Sequence, residues 1–234
     1  MRGFVINNIV FRRIALAGVV LAGSAGLMAA SSAQAATPAP VRQPAPVRQM
    51  EQAVSTADSY RAVTAITRTG PGRLDQRERV ETVVVHRGKV ALSYVVDQVT
   101  VAGQSTHWLE VVHTGTHVCL RAGRQGEWQC QSERTTAPPD FFRGLFTATY
   151  ADTPIGNAVI QGQPSEGYQL SDAGKGYQER GTLWISRATT LPVERVSVTT
   201  TSLVGQSAPL VNKATTTWSH WNDAALQIPS VPAA

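Results

Sequence analysis

From Tyr60 onward, apolar and polar residues alternate along the chain. Val80, Thr82 and Val84 share one side of a predicted strand, and Glu81, Val83 and Val85 share the other. Val90, Leu92, Tyr94 and Val96 lie on one side of the next. Turn residues punctuate the pattern at Gly70-Pro71-Gly72, Arg87-Gly88, Ala102-Gly103, Thr114-Gly115 and between Gly123 and Gly126. A period of two broken by tight turns predicts an antiparallel meander. The same texture resumes after residue 154, with strands expected over 158–161, 167–171, 178–186, 193–201 and 212–222. About ten strands are too many for a flat open sheet, so the sheet is expected to curl. The fold class is mainly β.

Two segments leave this period. Residues 50–59 carry Glu51, Gln52, Ala53 and Ala57 without a Gly or Pro, which predicts a short N-terminal helix. In residues 138–150, Phe142, Phe146 and Tyr150 recur every four residues beside Leu145, behind Asp140 as a first-turn acid. That spacing predicts a second helix, which either packs on the sheet or forms a lid over a cavity. Residues 36–49 repeat Ala-Pro-Val-Arg-Gln and hold four prolines, which predicts a disordered leader free of helix and sheet.

The first 35 residues read as an export signal. Arg2, Arg12 and Arg13 precede an apolar run over 14–30, and Ala33-Gln34-Ala35 offers an A-x-A cleavage site. The run is short and Gly-rich for a membrane span. No Cys lies near the cleavage site to take a lipid anchor. The mature protein is expected to be periplasmic or extracellular without a stable membrane anchor. The Arg12-Arg13 pair leaves the twin-arginine export route open beside the general one. Cleavage leaves 199 residues, which fit one domain over 50–232. The formal charge of the whole chain is +5; losing three Arg leaves 18 basic residues against 16 acidic, a net +2. So small a charge argues against nucleic acid as a partner.

Cys119 and Cys130 are the only two cysteines. Folding the chain between Arg124 and Gln125 pairs them across a hairpin with a two- or four-residue loop, so a disulfide is expected. The rival is a zinc site from His113, His117, Cys119 and Cys130, whose spacing fits no common zinc pattern. The sequence holds no G-x-S-x-G, H-E-x-x-H, phosphate loop or dinucleotide fingerprint. No catalytic residue, cofactor or metal is called for. A curved sheet with an apolar face under a helix would enclose a hydrophobic pocket. Leu92, Tyr94, Trp108, Phe142, Phe146, Tyr150 and Trp184 are its candidate lining; the alternative for each is ordinary core.

The order of elements resembles the LolA/LolB-like superfamily. The likeness rests on residues 181–198, Gly-Thr-Leu-Trp-Ile-Ser-Arg-Ala-Thr-Thr-Leu-Pro-Val-Glu-Arg-Val-Ser-Val, on the ending Thr217-Trp-Ser-His-Trp-Asn-Asp-Ala-Ala-Leu-Gln-Ile-Pro229, and on the opening Ala57-Asp-Ser-Tyr-Arg-Ala-Val63. The resemblance implies a half-open barrel closed by helices, with a cavity for acyl chains. It implies a carrier that holds a lipid or a lipoprotein acyl chain, with a lipoprotein or membrane-bound protein as a further partner. The alternatives are a sensor or scaffold domain binding a protein partner, and a hydrolase with a dispersed site.

Overall fold

A computed structural model describes residues 43–70, 74–87, 90–132, 142, 148–174, 176–202 and 208–231. Among the described residues, one helix, α1 (Ala45–Ser55), precedes twelve strands. The strands are β1 (Ser59–Gly70), β2 (Leu74–Arg87), β3 (Val90–Val101), β4 (Gln104–His113), β5 (His117–Ala122), β6 (Gln129–Ser132), β7 (Thr149–Tyr150), β8 (Gly156–Ile160), β9 (Gln163–Gly174), β10 (Tyr177–Ser186), β11 (Pro192–Thr201) and β12 (Leu210–Ser219). They form a single curved, unclosed antiparallel sheet in the order β6-β5-β4-β3-β2-β1-β12-β11-β10-β9-β7, with β8 also paired to β9. This is the expected half-open barrel.

Turn chemistry explains the tight reversals. Ala102 and Gly103 join β3 to β4 with φ of 48° and 81°, and Gln161 and Gly162 join β8 to β9 with φ of 50° and 78°. Two residues at positive φ match the right-handed twist of the strands they connect. The sheet closes its register where the last strand meets the first, from Arg61 opposite Ser219 to Thr69 opposite Val211. Behind β12 the chain ties back onto β1. Asn222 donates its backbone N–H to Ser59 O and accepts from Asp58 N–H through Oδ1, and Ser59 Oγ donates to Asp223 O.

The helix corrects an expected boundary. It begins at Ala45, inside the segment expected to be leader, and ends at Ser55, before the expected residue 59. Pro44 is the N-cap and Pro46 lies in the first turn. Amides of a first turn have no intrahelical acceptor, so a proline there sacrifices nothing. Pro44 even contributes its carbonyl to Arg48 N–H. Val47, Met50 and Val54 form one buried stripe against the sheet.

The second expected helix lies mostly outside the described residues. Its last two positions are corrected: Thr149 and Tyr150 form β7, opposite Ser171 and Leu170. The period-four spacing of Phe142, Phe146 and Tyr150 therefore does not end in helix. Strand pairing offers residues 149 and 150 the ladder of β9, and tertiary context outweighs local propensity.

Candidate functional site

Strand register sorts every side chain onto one of two faces. The helix-covered face carries Tyr60 and Ala62 of β1, Val84 of β2, Trp218 of β12, Leu183 and Ile185 of β10, Tyr168 and Leu170 of β9, and Tyr150 of β7. With Val47, Met50 and Val54 of α1 they form one buried cluster. A second cluster on the same face, from Val80, Val95, Leu109, Val111 and Val118, continues across β2 to β5.

Phe142 sits at the centre of the first cluster. Its ring lies 5.0 Å from Tyr60, 6.2 Å from Trp218 and 6.1 Å from Trp221, centroid to centroid. Edge-on and offset rings at these separations attract beyond their area burial. Trp221 is held in place by its indole N–H, which donates to Pro192 O at 3.3 Å. β6 is one edge of the sheet and β7 the other, while β1 and β12 lie in the middle. Phe142, between β6 and β7 in the chain, lies over β1 and β12 in the middle of the sheet.

The candidate lining residues do not share one face. Phe142 and Tyr150 lie under the helix-covered side, in the aromatic cluster. Leu92, Tyr94 and Trp108 point to the opposite face, as does Trp184, whose ring packs where a Cβ on Gly167 would stand, 2.7 Å away. Phe146 lies outside the described residues. Tyr60, Trp218 and Trp221 are cluster members the sequence reading missed; Tyr60 and Trp218 were legible only as aromatic strand residues.

The opposite face holds a polar knot. Glu110, 3% exposed, accepts from Tyr94 Oη at 2.8 Å, Trp108 Nε1 at 2.9 Å and Arg121 Nη2 at 2.7 Å. Burial pushes its pKa up, but the hydrogen bonds from Arg121, Trp108 and Tyr94 outweigh it and hold the carboxylate below its ordinary range. Burial, with the bond to Glu110 behind it, pushes the Tyr94 phenol up. Arg121 stacks on Trp128 at 4.6 Å and Arg124 on Trp108 at 4.2 Å.

This knot explains a second correction. Cys119 and Cys130 face each other and form the expected disulfide, with Cα atoms 4.0 Å apart. The loop between β5 and β6, however, runs over 123–128, longer than two or four residues. Trp128 leaves the ladder to meet Arg121, and Gly123, at φ 74°, turns its N–H to Trp108 O. With both sulfurs bonded to each other, the four-residue zinc set has no thiolate to offer. Among the described residues, no three His, Cys, Asp or Glu side chains are grouped to hold a metal ion.

The helix-covered face turns polar toward the far end of the strands. Buried ion pairs join Arg195 to Glu179 at 2.6 Å and Arg68 to Glu78 at 2.5 Å. Asp97 lies beside the Arg68–Glu78 pair; burial first and the Glu78 charge second lift its carboxyl to about 6, against the pull of His107 and Arg68. Tyr150 sits between the two ends, raised by burial and within the field of Arg195, Glu179 and Glu51.

Comparison with solved structures finds likenesses. The chain is similar to lipoprotein LppX of Mycobacterium tuberculosis (14% identity, TM-score 0.45, 77% of this chain and 95% of that one). It is similar to a LolA superfamily protein of Nitrosomonas europaea (13%, TM-score 0.24, 78% and 93%). A third likeness is to the S-type phycobiliprotein lyase CPES from Guillardia theta (9%, TM-score 0.29, 72% and 91%). No family model and no curated protein matches the chain. No helix among the described residues is long and apolar enough to cross a membrane.

Proposed function

We propose that this chain is an exported binding protein that holds a hydrophobic ligand, the acyl chain of a lipid or lipoprotein, on the helix-covered face of its half-barrel. The observation that carries the reading is the seating of Phe142. Phe142 rests on an apolar, aromatic patch of Tyr60, Trp218 and Trp221 at mid-sheet, and a slender apolar guest suits that same patch. Each methylene moved from water to such a face contributes about 0.8 kcal/mol, so a medium acyl chain gains usable affinity without a charged contact. The export signal over 1–35, the residues after it as a loose leader into α1, and one domain over the remainder complete the proposal.

The test is direct. Protein expressed with its own first 35 residues is recovered from the periplasm or medium, its mass compared with cleavage after Ala35, and its organic extract analysed. Lipid in the extract and displacement of the apolar probe N-phenyl-1-naphthylamine are the expected results. An empty extract together with no probe binding overturns the reading.

A further inference from the structure

The polar end of the helix-covered face is built as a row. Register aligns Glu179 of β10, Thr199 of β11, Asn212 of β12 and Arg68 of β1 across four neighbouring strands. Arg195 joins the row from four residues up β11: its Nη2 donates to Glu179 Oε1 at 2.6 Å. Gly181, between Leu183 and Glu179 on that face, carries no side chain to stand in its way. Arg68 and Glu78 close the other end. Two guanidinium groups meet two carboxylates, so these pairs carry no net charge.

Two atoms of this row are left over. Arg195 Nε and Asn212 Oδ1 have no hydrogen-bond partner, although both residues are at least nine-tenths buried. Buried polar atoms in folded proteins are otherwise almost always paired. One is a donor and the other an acceptor, and Thr199 lies beside Asn212 in the register. A polar end that carries a hydroxyl together with an ester or a second hydroxyl offers a donor and an acceptor, one for each atom. An anionic group is disfavoured, because both guanidinium groups are already paired and Glu78 and Glu179 flank the row.

We propose that this row binds the polar end of an uncharged, hydroxyl-bearing amphiphile, with Arg195 Nε donating to it and Asn212 Oδ1 accepting from it. The inference rests on the apolar-ligand reading above and deepens it: the tail lies toward Tyr150 and Phe142, and the row selects the head. Tyr150 marks the junction, since it belongs to the aromatic cluster and feels the charges of Arg195 and Glu179.

The experiment uses the mature protein stripped of bound lipid and loaded with N-phenyl-1-naphthylamine. Monoolein, oleate and 1-octadecene supply the same apolar chain with a hydroxylated, an anionic and no head. Monoolein is expected to displace the probe at roughly tenfold lower concentration than the other two, the worth of about one buried hydrogen bond. Asn212→Leu is expected to abolish that preference, leave octadecene unchanged, and raise the melting temperature of the empty protein by removing an orphaned acceptor. Where Asn212→Leu does not fold, Thr199→Val serves, with an expected loss of roughly threefold in the preference. Equal displacement by all three, a preference for oleate, or a monoolein preference that survives the substitution overturns the inference while leaving the apolar reading intact. Binding of none of the three overturns both.

Discussion

The two faces of the sheet bury the same kind of ion pair and treat it differently. On the open side, Glu110 has every lone-pair direction answered by Tyr94, Trp108 and Arg121, and the result staples the β5–β6 hairpin to β3 and β4. On the helix-covered side, Arg195 makes one bond to Glu179 and leaves Nε unanswered, and Asn212 Oδ1 in the same row is unanswered as well. Arg121 Nε lacks an acceptor too, so the contrast rests on the fully answered Glu110 carboxylate against the orphaned Asn212 Oδ1. A saturated network makes a rigid scaffold; a half-saturated one stores capacity for a guest. The difference separates structure from site more sharply than residue type does.

The largest effect that would test this contrast is Glu110→Ala. It strands Arg121 and should cost about 3 kcal/mol or more, read from urea unfolding. The same carboxylate sets a pH dependence. Its folded pKa is depressed, so its contribution is present above the ordinary carboxylate value of about 4.3 and is lost as pH falls below it. A mutant as stable as the parent would break the view of this face as scaffold. Phe142→Ala comes next. Loss of a buried ring among Tyr60, Trp218 and Trp221 should cost about 3 kcal/mol, visible in the melting temperature. A change within 0.5 kcal/mol, the range typical of a surface substitution, would show that Phe142 is not seated in the cluster.

Replacing Cys119 and Cys130 together by Ser should destabilise by about 2–3 kcal/mol, the loop-closure entropy of a short crosslink. Hydrogen exchange should rise in β5 and β6 and stay unchanged in β9 to β12, because the crosslink is local. The smallest effect belongs to Asp97→Asn. A folded pKa lifted to about 6 means the native state holds a proton that the unfolded chain releases near 4. Stability therefore falls as pH climbs from about 4 to about 6, opposite in sign to Glu110. The Asn variant should flatten that slope and gain on the order of 1 kcal/mol at pH 7, allowing for solvent screening. An unchanged slope would remove Asp97 from the polar end of this face.

Much of the fold was legible because alternation and turn chemistry are local. Val80-Glu81-Thr82 and Ala102-Gly103 declare a strand and a reversal without outside help. The helix boundary was not legible: proline forbids a helix interior and suits its first turn, and residues 44–46 sit at that first turn. The lining was half legible. Period two says that Tyr94 and Ser93 face opposite ways; it does not say which of them looks at the helix. Val83, Val84 and Val85 are apolar on both sides, so hydrophobicity could not break the tie. Tyr94 and Trp108 therefore resembled pocket residues, and they line the Glu110 knot instead.

The sequence by itself determined the strands other than β7, the reversals, the disulfide pair and the mainly-β class, because each depends on neighbours within a dozen residues. Tertiary structure alone decided which face lies under α1, that β6 and β7 end on opposite edges, and that Phe142 lands mid-sheet on Tyr60 and Trp218. It also brought Glu179, Thr199, Asn212 and Arg68 into one row from four strands. The pairing that centres all of these, β1 with β12, joins segments more than a hundred residues apart, and register is set by the summed burial of the whole sheet.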